Sequence, residues 1–192
     1  ELKLGTLTIK GDLSVTTAST VGISDEGVLT IHGTSTFVTS TDDATIDLGS
    51  ENFFSGNANG TVDFSTQGTS GHVTLNVGDD ADNNLWFAAS EVRGNLTVTT
   101  GTGSAVSHKG ILTVDGATDI TANNGGSNIL LQDYENDLTG AVSMKGHNVR
   151  VKNSKALLLG TVDAAALRVF ARGAVTQSGA TAMTNITSDG ET

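Results

Sequence analysis

The sequence contains no cysteine and no proline, and aromatic residues make up only 4% of its 192 positions. The absence of cysteine excludes a disulfide framework and a thiol nucleophile. The absence of proline fits a chain that is nearly all interior strand, because proline removes a donor from the backbone hydrogen-bond ladder. No stretch shows sustained 3.6-residue periodicity, so the sequence gives no sign of long amphipathic helices.

Basic residues are also scarce: 10 Lys and Arg stand against 21 Asp and Glu, for a net charge of −11 and a pI of about 4.5. This balance argues against a nucleic-acid partner, because a surface that tracks phosphates needs clustered Lys and Arg. It argues equally against an anionic membrane surface. No apolar run approaches the ~20 residues of a membrane span, so we expect no membrane insertion.

What the chain does have is a stretch that occurs twice, 83 residues apart and without a gap. Residues 10–33 read KGDLSVTTASTVGISDEGVLTIHG, and residues 93–116 read RGNLTVTTGTGSAVSHKGILTVDG. Glycine and apolar positions are held, whereas the other positions drift among Thr, Ser, Asp, Asn, His and Lys. This pattern indicates a constraint from the fold rather than from catalysis.

The likeness continues beyond that block, since ENFFSG (51–56) matches ENDLTG (135–140). We divide the chain into approximate repeats at 10–92, 93–166 and a partial copy at 167–192, all within one solenoid segment, 1–192. A β-sandwich would also give short strands at regular spacing. Only stacked turns, however, explain why one strand–turn phrase recurs at a fixed offset.

The sequence therefore predicts an all-β fold, a parallel β-solenoid of about nine or ten rungs. With ~20 residues per rung and ~4.8 Å between paired strands, the rod would be roughly 45 Å long. Glycine and Asn are expected at corners that need positive φ. The residues expected inside are Leu13, Val15, Leu29, Ile31, Leu96, Val98, Leu112 and Val114.

Five stretches carry a resemblance to a known family: GNLTVTTG (94–101), AVSHKGILTVDGATDI (105–120), ENDLTGAVSM (135–144), NVRVKNSKALLLGTV (148–162) and GAVTQSG (173–179). They resemble the repeats of filamentous haemagglutinin-like exoproteins, large bacterial surface adhesins of which many use two-partner secretion. The resemblance implies a right-handed parallel β-helix in an extracellular or surface-anchored protein. Those exoproteins carry an N-terminal secretion domain with Asn-Pro motifs. This chain has no proline, so we expect an internal shaft segment or a processed product of one.

The densest acidic cluster suggests a cation site. Asp80, Asp82, Asn84 and Glu91 fall at positions 1, 3, 5 and 12 of a calcium loop, and Ca²⁺ prefers such alternating oxygen ligands. The sixth position is Leu85, however, where the motif requires glycine. The competing interpretation is a solvated turn. Apart from this calcium candidate, no cofactor is expected.

Other candidates for chemistry are sparse. In the Leu85-Trp86-Phe87 segment, at least one side chain must face outward if the segment is a strand, so Trp86 and Phe87 are candidate contacts for a glycan or a partner. The alternative is that the rings cover a loop or fill a corner. The histidines share no metal-like spacing, and we interpret them as surface polar residues; they are His32, His72, His108 and His147.

The sequence-based hypothesis for function is a non-catalytic structural shaft of an extracellular bacterial adhesin or filament. Its partners would be neighbouring solenoid segments, or copies of itself stacked head to tail. One alternative is a module that binds host or cell-surface glycans, centred on residues 76–92. Another is a polysaccharide-degrading β-helix enzyme, although no paired carboxylate recurs with a base. The arginines also look scattered along the sequence; they are Arg93, Arg150, Arg168 and Arg172.

Overall fold

The computed structural model describes residues 1–54, 60–79, 84–133, 135–179, 181–183 and 186–188. Strands account for 62% of the chain. Within the described ranges, no helix combines the length and apolarity needed to cross a bilayer. A single turn of 3₁₀ helix covers Asn123–Gly125.

The strands, in chain order, are β1 (Leu2–Leu4), β2 (Leu7–Ile9), β3 (Leu13–Thr17), β4 (Gly22–Asp25), β5 (Leu29–Ile31), β6 (Ser35–Asp42), β7 (Thr45–Asn52), β8 (Val62–Gln67), β9 (Val73–Val77), β10 (Leu85–Phe87), β11 (Ser90–Val92), β12 (Leu96–Thr100), β13 (Val106–His108), β14 (Leu112–Val114), β15 (Thr118–Ala122), β16 (Ile129–Leu131), β17 (Asp137–Leu138), β18 (Ala141–Asn153), β19 (Leu157–Ala171), β20 (Val175–Gln177), β21 (Thr181–Met183) and β22 (Ile186–Ser188).

Each turn of the chain passes through three faces, and strands of successive turns pair in parallel. The first face contains β1, β4, β7, β9, β12, β15, the first parts of β18 and β19, and β21. The second contains β2 and β5 beside Phe53, and then β10, β13, β16, the later parts of β18 and β19, and β22. The third contains β3, β6, β8, β11, β14 and β17. Strand β20 pairs with the start of β19. The predicted parallel β-solenoid is confirmed.

The turns differ in length. One turn takes 21 residues from Leu2 to its partner Ile23, whereas another takes 27 from Ile46 to Val73. A late turn takes only 17, from Val142 to Leu159. There are about eight turns in all, close to the nine or ten expected. At ~4.8 Å per strand spacing the axis is ~38 Å long, shorter than expected because most turns use more than 20 residues.

The two copies of the repeated phrase lie on different faces of the solenoid. Leu13 opens β3 on the third face, and its stacked partners in the following turns are Ser35, Val62 and Phe87. Its sequence equivalent, Leu96, lies nine residues beyond Phe87 and opens β12 on the first face. The 83-residue offset thus spans three turns and one further face. The same repeated sequence can therefore form strands on more than one face of the solenoid.

The core is a continuous apolar column along the axis. Of the eight residues predicted inside, seven are buried and Leu13 is half-buried. Aromatic rings form a ladder within this column: Phe64 stacks on Phe37 at 5.9 Å between ring centroids and contacts Phe87 at 6.4 Å. Phe54 meets Phe37 edge-on at 6.3 Å. Four of the chain's eight aromatic residues thus lie in the core, where they bury most area.

The glycines fall into two classes, of which the sequence predicted one. Positive φ occurs, as expected, at glycine and Asn positions, namely Gly22, Gly68, Gly103, Gly125, Asn123 and Asn124, and it occurs at Asp43 as well. The repeated glycines Gly33, Gly94 and Gly116 do not share it, and the expectation is wrong for them. A Cβ on Gly116 would lie 2.4 Å from Asn95 Oδ1 and 2.6 Å from the carbonyl carbon of Gly94. These glycines are required because adjacent turns approach closely at corners.

Candidate binding face

Side-chain acceptors at the corners bind backbone donors of the following turn. Asp12 Oδ1 accepts the N–H of Thr34 at 2.8 Å, and Asp79 Oδ1 accepts that of Thr102 at 2.5 Å. His72 Nδ1 accepts the N–H of Asn95 at 2.8 Å. In each case the donor follows a glycine that leaves room for the acceptor. The corner position held by Asp12 in one copy of the repeated phrase and by Asn95 in the other therefore keeps a hydrogen-bond acceptor rather than one residue type.

His108 shows the same device with both ring nitrogens. Its Nε2 lies 2.6 Å from the backbone nitrogen of Gln132 and 3.1 Å from that of Asp133, so Nε2 accepts both N–H groups. Nδ1 lies 2.8 Å from the carbonyl oxygen of Gly110 and so carries the proton. The histidine is thus committed to joining two turns of the second face.

Three asparagines buried inside the solenoid accept hydrogen bonds from backbone N–H groups at the corners. Asn52 Oδ1 accepts the N–H of Leu29 at 2.8 Å, and Asn136 Oδ1 accepts that of Leu112 at 2.9 Å. Both asparagines are 0% exposed. The matching segments 51–56 and 135–140 therefore preserve one hydrogen bond, which a backbone N–H of the strand one turn earlier donates to an asparagine. Asn153 makes a related bond, accepting the N–H of Leu138 at 2.8 Å.

The predicted calcium loop is only partly described. Asp80 and Asp82 lie outside the described residues. Asn84 precedes β10, where its Oδ1 accepts the N–H of Ala105 at 3.0 Å. Glu91 belongs to β11 on the third face and forms an ion pair with Arg93, which also bonds Asp115 at 3.0 Å. Among the described residues no group of three or more His, Cys, Asp or Glu is placed to hold a metal.

In the Leu85-Trp86-Phe87 segment, side chains alternate between the core and the outer surface, as expected for a strand. Trp86 is half-buried on the outer surface, and the Lys109 ammonium lies 5.1 Å from its ring centroid. Phe87 is 0% exposed and contacts Phe64 in the core. Phe87, a predicted contact residue, therefore has no exposed surface to offer a ligand. Trp86 retains an outward surface.

Two of the four arginines that look scattered in sequence come together on the second face. Arg150 and Arg168 are paired neighbours on β18 and β19, and Lys152 pairs with Phe170 in the same way. Lys152 Nζ and Arg168 Cζ lie 5.4 and 5.6 Å from the Phe170 ring centroid. Sequence spacing could not show this proximity, because stacking joins residues 18 positions apart. We call this surface the basic face; it consists of Trp86, Lys109, Arg150, Lys152, Arg168 and Phe170.

A groove of about 570 Å³ borders the basic face. Arg172 spans it, with Nη2 2.6 Å from Glu135 Oε1. The groove's remaining lining is polar, contributed by His108, Lys109, Gln132 and Asp133.

The charge of the chain is segregated along the solenoid axis. Residues 141–179 contain six Lys or Arg against one Asp, residues 180–192 contain only Asp189 and Glu191 as charged residues, and residues 1–140 contain four Lys or Arg against 18 Asp or Glu. Because each turn of the solenoid stacks on the one before it, an uneven distribution of charge along the sequence is also an uneven distribution along the solenoid axis. The late turns are basic within an otherwise acidic rod.

A second groove, of about 340 Å³, lies on the third face and contains the carboxylates of Asp63 and Glu91. Burial raises the pKa of Asp63, and the hydrogen bond from the Thr36 hydroxyl, at 2.8 Å, partly offsets the rise. Ile111, 42% exposed, provides an apolar edge. The groove thus brings two carboxylates together across turns, one of them ion-paired.

Comparison with known proteins agrees with the stacked architecture. A family model described as repeats of unknown function (DUF5649) matches residues 1–61, 70–145 and 146–191. The chain belongs to this family. No curated protein and no solved structure matches it.

The three DUF5649 matches cover nearly the whole chain, and each spans two or more solenoid turns. The matches start at residues 1, 70 and 146, whereas the repeats found by aligning the sequence with itself start at residues 10, 93 and 167. A phase difference of this kind is natural in a solenoid, because a repeat unit can be cut at any corner.

Proposed function

We propose that this DUF5649 chain is a structural shaft segment of an extracellular bacterial surface protein, an adhesin or filament, without catalytic activity. The observation that carries the proposal is the use of its polar residues. Asp12, His72, Asp79 and Asn95 each accept a backbone N–H of the next turn. Side chains that hold turns together serve the length and stiffness of a rod.

The partners we propose are neighbouring solenoid segments or copies of the same chain, stacked end to end. Among the described strands, β3 pairs with β6 alone, so one edge of β3 is open. The N–H of Leu13 bonds the next turn, at Thr34 O. Because backbone donors alternate sides along a strand, the N–H groups of Ser14 and Thr16 point to the open edge. An open edge of this kind is a template for a further strand.

Sedimentation velocity over a range of concentrations tests this stacking. Thr16→Pro removes a donor from the open edge and leaves the β3–β6 ladder intact, whereas Thr16→Ala keeps the donor. We expect concentration-dependent, elongated assemblies for the wild type and for Thr16→Ala, and a marked reduction for Thr16→Pro. A monomeric wild type at all concentrations would contradict stacking between separate copies.

One observation favours a second candidate, a polysaccharide hydrolase. Glycosidases use two carboxylates, one with a raised pKa, and Asp63 and Glu91 share a groove. Against it, Glu91 is bound to Arg93. Reducing-sugar release from a panel of polysaccharides decides between them. The shaft proposal expects none, and release that Asp63→Asn abolishes would favour the enzyme.

A further inference from the structure

We propose that the basic face binds a linear anionic polysaccharide, with carboxylate or sulfate groups spaced along the polymer. This goes beyond a structural role, and it concerns a side face of the rod rather than its ends. The first argument is charge segregation. Three of the six cations in residues 141–179, namely Arg150, Lys152 and Arg168, project from two paired strands of one face.

The second argument is geometric. Trp86, Ser107, Leu130, Arg150 and Arg168 occupy successive paired positions on β10, β13, β16, β18 and β19. Four strand spacings of ~4.8 Å give a straight strip ~19 Å long, parallel to the axis. The strip faces outward, because Val149 and Val151, on either side of Arg150, are buried. A flat strip suits an extended polymer that lies along the rod.

The third argument is that each end of the strip carries an aromatic ring beside a cation. Lys109 lies over Trp86, and Lys152 and Arg168 lie over Phe170. Both rings are half-buried and therefore keep a surface exposed. A half-exposed ring offers apolar area to the C–H groups of a sugar, while the adjacent cation offers charge-assisted hydrogen bonds to an acidic group.

Charge density favours a polysaccharide over nucleic acid. Duplex DNA carries one charge per ~1.7 Å of axis, or about eleven along a strip of ~19 Å. The basic face contains four cations over that length, three of them on β18 and β19. The acidic turns around it would repel the surplus phosphates. A polymer with at most one or two acidic groups per sugar matches the face better.

Binding of the full chain to immobilised polymers at ~50 mM salt tests the proposal, since low salt keeps exposed charges weakly screened. The probes are alginate for carboxylate, dextran sulfate for sulfate, dextran as the neutral control, and poly(dT). The test variant is Arg150→Ser with Lys152→Ser and Arg168→Ser. The matched control removes three cations outside the basic face, by Lys3→Ser, Lys10→Ser and Lys145→Ser. Far-ultraviolet circular dichroism and melting temperature verify that both variants fold.

We expect the wild type to bind alginate, dextran sulfate or both, and to ignore dextran; the preferred polymer identifies the anionic group. The test variant should bind at least about tenfold more weakly, and the control should stay within about twofold of wild type. Phe170→Ala should weaken binding with an unchanged salt dependence. The proposal is overturned if neither acidic polysaccharide binds, if the control loses as much as the test variant, or if poly(dT) binds more tightly than both polysaccharides.

Discussion

Replacing Asn153 by leucine removes a buried acceptor while nearly conserving side-chain volume. Asn153 is 0% exposed, and its Oδ1 accepts the N–H of Leu138 at 2.8 Å. Its Nδ2 donates to the carbonyl oxygen of Ala156 at 2.9 Å. Leucine can do neither, so a buried backbone donor and a carbonyl lose their partner.

The magnitude follows from the buried donor. An unsatisfied buried N–H costs about 1–3 kcal/mol, whereas an exposed one is rehydrated and costs less. For a chain of this size, each kcal/mol shifts the melting temperature by about 2–4 °C. We therefore expect Asn153→Leu to melt roughly 4–8 °C below wild type, for a loss of about 2 kcal/mol.

The matched control is Asn84→Leu. Asn84 Oδ1 also accepts a backbone N–H, that of Ala105 at 3.0 Å, but Asn84 is exposed. Thermal unfolding followed by circular dichroism should show a shift below ~2 °C for the control. Amide hydrogen exchange at Leu138 gives a local measure and should accelerate only in Asn153→Leu. Equal shifts for the two variants would refute the argument from burial.

Gly116→Ala should lower the free energy of unfolding by more than about 1 kcal/mol, because the added Cβ would clash with backbone atoms of the preceding turn. The control is Gly11→Ala, since a Cβ on Gly11 meets nothing within 4 Å. Denaturant unfolding should show no change in stability for this control. Phe64→Ala, at the centre of the aromatic ladder, should cost about 3–5 kcal/mol in the same assay. The backbone N–H groups of Thr69 and Ser70 lower the pKa of Asp43, so its carboxylate stabilises the fold above pH ~4 and loses that effect as pH falls through the lowered value. The melting-temperature advantage of wild type over Asp43→Asn should therefore be present at pH 6 and vanish near pH 2; an advantage independent of pH would contradict this assignment.

The sequence predicted the interior of the fold well, because burial repeats with the strand. Val98 and Leu112 are inward for the same reason that their equivalents Val15 and Leu29 are. The sequence could not predict which face of the solenoid each strand occupies. Loops of different length put the equivalent residues Leu13 and Leu96 on different faces. A repeat in sequence reports a recurring environment, and on a three-faced solenoid that environment recurs on more than one face.

The candidate site depended on contacts that sequence spacing conceals. Arg150 and Arg168 lie 18 residues apart and become neighbours only because this late turn is short. Strand alternation predicted that Trp86 and Phe87 point to opposite sides of the strand. The sequence did not show which of the two sides faces the core, so both stayed candidates. The excess of Lys and Arg in residues 141–179 was the one available signal, and averaging charge over the whole chain hid it.

The central claim is that the corner positions Asp12, His72 and Asp79 must accept hydrogen bonds between turns and need no particular residue. The direct measurement compares the melting temperatures of two triple variants at Asp12, His72 and Asp79. Replacement of all three by Asn keeps an acceptor at each corner, and replacement by Ala removes it, with the same change in charge. We expect the Asn variant to melt within about 2 °C of wild type and the Ala variant roughly 3–6 °C lower, from about 0.5 kcal/mol for each exposed bond lost. Equal destabilisation of the two variants would contradict the claim, since it would show that these positions require their own side chains.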